Sequence, residues 1–152
     1  FRSQSTRTIS FSYAQVESAL AELLEIPPSQ LGAFAARLRH LRALNVPRYS
    51  KPGSGKRLSY QWTHVAQMMV ALLFQSLGCA PRLSAEAAWA AEKNFEAAVI
   101  RPDMVFALLN SSEFGFFRLD QLPELVNRVL ACAAINLSNA LTQLDARLAN
   151  HV

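Results

Sequence analysis

The chain has 152 residues, 51% of them apolar and 17% charged, with a formal net charge of +4. That length suits one compact domain, or a small module plus a second subdomain, and the composition excludes a disordered chain, which combines low apolar content with high charge. Apolar runs such as Met68 to Phe74 and Met104 to Leu109 fall far short of the roughly 20 residues that cross a bilayer, so no membrane partner is expected.

The opening text FRSQSTRTIS is polar and starts at Phe1, which reads as a processed or trimmed start without the apolar core of a signal peptide. From Ser12 to Glu25, Val16, Leu20, Leu23 and Leu24 recur at helical spacing, Ser12 is a candidate cap, and Pro27-Pro28 follows as a stop. Ser29 is the expected cap of a second helix carrying Leu31, Phe34, Leu38 and Leu41, which Asn45 and Pro47 end. The text RYSKPGSGKRLSY, residues 48 to 60, predicts a hairpin, because its two glycines tolerate the backbone of a tight reversal. A third helix runs from Gln61 to Leu77 with Trp62, Val65, Met69, Leu72 and Leu73 inward and Gly78 as its stop. An Ala-rich helix from Ser84 to Ala98 is expected next, ended by Pro102. Met104 to Leu109 and Phe114 to Leu119, around Asn110-Ser111-Ser112, fit a hairpin. Beyond them the stripes Leu122, Leu125, Val126, Val129, Leu130 and Leu137, Leu141, Leu144, Leu148 fit either one long helix or helix, strand, helix, with Ser138 or Asn139 as a candidate cap.

Charge is distributed unevenly. Residues 1 to 58 hold nine Lys or Arg against three acids, and residues 59 to 152 hold six against eight. Seven of the nine, Arg37, Arg39, Arg42, Arg48, Lys51, Lys56 and Arg57, fall within 21 residues that contain His40 and no acid. Such a run repels itself and favours a polyanionic partner, of which nucleic acid is the common one. On the second helix, Leu31, Phe34, Leu38 and Leu41 occupy one arc of about 80°, the buried face. The opposite face is then Gly32, Ala33, Ala36, Ala43, Arg39 and His40, with Arg37 and Arg42 at the edges of the apolar stripe. Small residues around two polar ones permit close approach to the major groove of double-stranded DNA, about 12 Å wide. There Arg39 offers a fork to guanine and His40 a donor to base or phosphate.

Two helices, a basic glycine-turn hairpin and a third helix closed by glycine resemble the winged helix-turn-helix domain of MerR-type bacterial transcription regulators, over residues 12 to 83. Leu38-Arg39 resembles the Leu-Arg of that family's recognition helix. Gly55-Lys56-Arg57-Leu58 with Tyr60 resembles its wing, and Leu77-Gly78 the end of its third helix. His40 and Leu41 stand where two tyrosines are usual, Ser59 is an extra wing residue, and the first helix is longer. The resemblance implies a mainly α fold: a winged helix-turn-helix domain at 12 to 83 with a β-hairpin wing, after a flexible segment 1 to 11. Residues 84 to 152 would form a C-terminal helical or α+β subdomain for dimerisation or partner contacts. It implies a homodimeric regulator with the second helix in the major groove and the wing, with Lys51, Ser54, Lys56 and Arg57, on the DNA backbone beside Arg48. RNA polymerase or another regulatory protein is a further expected partner. The competing reading is an adaptor whose basic face docks an acidic protein.

No enzyme is expected. Walker A spacing fails because Ser50 stands where its first glycine belongs and Arg57 follows the lysine, and Gly53-Ser54-Gly55 lacks nucleophile-elbow spacing. His64 is expected to face solvent on the polar side of the third helix, with no carboxylate near it in sequence to make it a base. Trp89 and Phe95 are six apart, so at least one belongs to the core rather than to a stacking platform. Cys79 and Cys132 are 53 positions apart and His40, His64 and His151 are scattered, which offers neither a disulfide framework nor a metal cluster. Buried thiols in a reducing cytoplasm, and no cofactor, are expected.

Overall fold

A computed structural model describes residues 9–48 and 59–152. Helix α1 spans Tyr13–Leu23 and begins with a reciprocal cap, Gln15 N donating to Ser12 Oγ (3.2 Å) and Ser12 N to Gln15 Oε1 (2.8 Å). A 3₁₀ turn at Pro28–Gln30 leads into α2, Leu31–Ala43. Ser29 therefore lies inside the turn and is not the cap expected of it. Helices α3 (Trp62–Ser76) and α4 (Pro81–Ala91) follow, then a 3₁₀ turn and α5 (Phe95–Ile100). The Ala-rich helix thus starts three residues earlier than expected: Pro81 takes its first turn, where a missing N–H costs nothing, and Ser84 is buried within it.

Helices α1, α2 and α3 end in the same way. The residue after the cap adopts a positive φ, Glu25 (53°), Asn45 (66°) and Gly78 (92°). The N–H beyond it then reaches back five residues, Ile26 to Ala21 (3.0 Å), Val46 to Leu41 (2.9 Å) and Cys79 to Phe74 (3.1 Å), the bonding of a Schellman motif. Gly78 and Asn45 are suited to that conformation, and Glu25 is not.

Strands β1 (Met104–Leu109) and β2 (Glu113–Arg118) form the expected hairpin. The chain then runs through a 3₁₀ turn and α6 (Leu122–Arg128) to β3 (Cys132–Asn136) and α7 (Leu137–Ala149). Of the two readings left open by the sequence, helix, strand, helix is the one adopted. The sheet order is β2-β1-β3, both pairings antiparallel. Asn136 caps α7, accepting from Asn139 N at 3.0 Å. Ser138, an expected cap, instead accepts from Met104 N (2.9 Å) and donates to Arg101 O (2.7 Å), tying α7 to the start of β1.

Helix α3 lies at the centre. Every residue from Val65 to Leu72 is buried, as befits a helix that is apolar all round; the polar exception, Gln67, accepts from Arg48 N at 3.1 Å. One hydrophobic core runs from Phe11 through α1, α2, α3 and α4 to β1 and α7, so it crosses residue 84 without a break. Phe74 meets Phe106 edge-on at 6.1 Å and Trp62 meets Phe95 likewise at 5.9 Å, while Trp62 Nε1 donates to Asp145 Oδ1 of α7 (2.8 Å).

The stripe Leu137, Leu141, Leu144 and Leu148 is buried in this same core. It therefore presents no apolar stripe at the surface. Exposed apolar residues in the C-terminal half include Leu119 (43% exposed), Val126 (49%) and Leu130 (100%) before it, together with Ile100 and Val152.

Leu144→Ala is expected to cost about 2–5 kcal/mol, because it opens a cavity where α7 joins the shared core. Urea unfolding should show the loss in one cooperative transition that includes α1 and α2.

Candidate nucleic-acid interface

The inward residues of α2 are Phe34, Leu38 and Leu41, all buried. Leu31, expected among them, is 42% exposed, because it opens the helix directly after the 3₁₀ turn. The outer face carries Gly32, Ala33, Ala36, Arg39, His40 and Ala43, every one exposed. A Cβ added at Gly32 would meet nothing within 4 Å, so that end of the face is open.

The flanking cations are half-buried and held by neutral partners. Arg37 Nε reaches Gln75 Oε1 of α3 at 3.5 Å. The Arg42 guanidinium lies 5.0 Å above the Tyr13 ring and that of Arg48 4.3 Å above the Trp89 ring, both within the range of a cation–π contact. Burial, and next the charge of Glu17, push the Tyr13 phenol above its ordinary value of 10.0, against an opposite pull from Arg42 and Arg39. The ring stays neutral. Ion pairs seen among the described residues lie elsewhere, Arg82 with Glu86, Arg118 with Asp120, Arg128 with Glu124 and His151 with Glu22.

Lys51, Ser54, Lys56 and Arg57, with the predicted hairpin, lie outside the described residues. The residues on either side are firmly placed. On the N-terminal side, Asn45 O accepts from Trp89 Nε1 (2.9 Å), Val46 and Pro47 are buried across a cis peptide bond, and Gln67 holds Arg48 N. On the C-terminal side, Tyr60 exchanges both backbone hydrogen bonds with Phe11, at 2.7 and 2.9 Å, and its ring lies 6.3 Å from that of Tyr13. Tyr13, Gln67 and Gln75 are thus positioning residues that the sequence reading did not single out, and Trp89, read there only as core or stacking surface, is a fourth. None stands near its basic partner in the sequence, and only the packing of α1, α3 and α4 onto α2 brings them there.

His64 is half-buried rather than solvent-facing. Its Nδ1 accepts from Gln61 N at 3.0 Å, so it serves the start of α3. Cys79 and Cys132 are free and half-buried, and burial raises both thiols, which keeps them protonated. Among the described residues no three His, Cys, Asp or Glu side chains come together to hold a metal ion, and no helix is long and apolar enough to cross a membrane. No protein-family model matches the chain, and no curated protein matches it.

Burial pulls His64 below its ordinary value of 6.5, against a weaker opposite pull from Glu92. The folded value then lies below the unfolded one, so the folded state binds fewer protons. The stability that the neutral ring contributes is complete above the unfolded value and is lost as pH falls through the folded one. Urea midpoints from about pH 7 down to about pH 5 should therefore fall more steeply for the parent than for His64→Gln.

Proposed function

We propose that the protein binds double-stranded DNA sequence-specifically, in the manner of a winged helix-turn-helix regulator, with α2 in the major groove. The observation that carries this reading is the outer face of α2, where Arg39 and His40 stand exposed among Gly32, Ala33, Ala36 and Ala43. A solvated helix face ordinarily carries long polar side chains. Small ones let the backbone sink toward base edges in a groove about 12 Å wide. Arg39 then offers its planar fork to guanine O6 and N7, the commonest specific contact, and His40 donates to a base or phosphate.

Arg37, Arg42 and Arg48 serve the phosphates on either side. Their partners are an amide and two aromatic rings, which orient a cation without cancelling it. Arg48 and Tyr60, both held from below, flank the segment that supplies Lys51, Ser54, Lys56 and Arg57 to the DNA backbone in the role of a wing. The exposed Val126 and Leu130, with Leu119 nearby in the chain, supply apolar surface for a second copy, and a twofold pair would read two half-sites.

Fluorescence anisotropy with duplex DNA tests the reading. Seven phosphate contacts would give a logarithmic salt slope of about −6 per protomer at −0.9 per contact; fewer contacts give a shallower one. Arg39→Ala is expected to cost about 1–3 kcal/mol on the preferred duplex and to relax discrimination, whereas Lys56→Ala with Arg57→Ala weakens all duplexes alike. Duplex affinity independent of ionic strength, or absent altogether, overturns the proposal.

A further inference from the structure

Strand β2 forms one edge of the sheet. Leu119 N donates to Asp103 O at 2.7 Å, which carries the β1–β2 register one position further. Bonded and non-bonded pairs alternate along an antiparallel ladder, so Glu113, Gly115 and Phe117 bond to β1, while Phe114, Phe116 and Arg118 turn their backbone groups the other way. On the opposite side of β1, Asn110 N donates to Ala131 O at 2.7 Å, which gives the same phase. Arg118 N is taken by Gln121 Oε1 at 2.9 Å. The N–H and C=O of Phe114 and Phe116 have no partner among the described residues.

Proteins ordinarily blunt such an edge with a lysine, a proline or a bulge. β2 has none of these: it reads EFGFFR and pairs with β1 without interruption. Its aromatic rings are also incompletely covered. Phe114 stacks on Phe106 at 5.8 Å and, with Phe116, lies against the core, yet both are only half-buried, since they stand at the sheet's rim. On the other face Phe117, also half-buried, folds back over Gly115, where an added Cβ would collide with its ring. β3, the other edge, carries no aromatic residue.

We propose that β2 pairs antiparallel with β2 of a second copy, about a twofold axis at Gly115, and so joins two three-stranded sheets into one. Phe114 of each copy then faces Phe116 of the other and exchanges N–H···O bonds with it in both directions. That register satisfies the free groups of both residues without calling on Arg118 N. The Phe114 and Phe116 rings meet across the interface on the core side, and the two Phe117 rings approach each other over the glycines on the outer side. Glu113 faces Phe117, so no charge opposes a like one, and the Glu113 end of each strand lies beside the Arg118 end of the other. A second copy fits because the edge is its own complement: a twofold interface sets the same donors, acceptors and rings on both sides. Leu119, 43% exposed, continues the edge toward the apolar surface assigned above to a second copy. The inference rests on the twofold pair of the proposed function and not on its DNA contacts.

Sedimentation of the full chain without DNA, with amide hydrogen exchange followed residue by residue, tests it. The parent is expected at twice the mass of one chain, and the Phe114 and Phe116 amides should become about tenfold or more better protected as concentration rises through the transition. Phe116→Pro removes an N–H that serves no bond within the chain, and should weaken pairing about tenfold or more while the circular dichroism stays that of the parent. Should that variant fail to fold, exchange in the parent decides alone. A chain that sediments as one copy, or a pair whose Phe114 and Phe116 amides exchange as fast as in dilute solution, overturns the proposal. Neither result depends on whether the chain binds a duplex.

Discussion

The face that α2 turns outward is set by what it must bury against α3. That helix has no solvent side of its own from Val65 to Leu72, so each neighbour has to cover it with apolar surface. α2 contributes Phe34, Leu38 and Leu41. At 100° per residue, this choice leaves Gly32, Ala33, Ala36, Arg39 and His40 no direction but outward. Turning α2 far enough to hide either polar residue would bury it without a partner, at a cost comparable to losing a hydrogen bond or more. The position of the cationic face is thus a consequence of core packing, and long-range attraction is not needed to explain it.

Electrostatics enters in how the flanking cations are held. In the C-terminal half, Arg82, Arg118 and Arg128 each lie beside a carboxylate, and such exposed pairs add little stability. Around α2, Arg42 and Arg48 lie on aromatic rings and Arg37 beside an amide. A ring or an amide restrains a guanidinium and leaves its field intact. Glu17 of α1 acts on the same Tyr13 phenol as Arg42 and Arg39, so the two signs meet at that ring.

Much of this was legible in the chain. Helical spacing in α1, α2 and α3 identified the elements and, except for Leu31, the buried side of α2, because an amphipathic period is a direct image of which side is wet. The hairpin β1–β2 was legible from the turn residues at 110–112. Caps were less so: Ser29, Ser84 and Ser138 each have a capping side chain yet none is the cap, and Ser138 is claimed instead by tertiary partners. The fate of the last helix was hidden for a different reason. Leu137, Leu141, Leu144 and Leu148 look the same whether they face a second copy or the chain's own core, and only the long-range packing onto α1 and α5 separates the two. For the same reason no local pattern linked Tyr13 to Arg42, or Trp89 to Arg48.

The account turns on whether the exposed face of α2 distinguishes one duplex sequence from another. Selection of bound fragments from random duplex DNA by the full chain measures this most directly. The account predicts enrichment of a defined motif containing guanine, as two half-sites about one helical turn apart or a multiple of that, and loss of the guanine preference in Arg39→Ala. Recovery of random sequence alone, or of the same motif by Arg39→Ala, would contradict it.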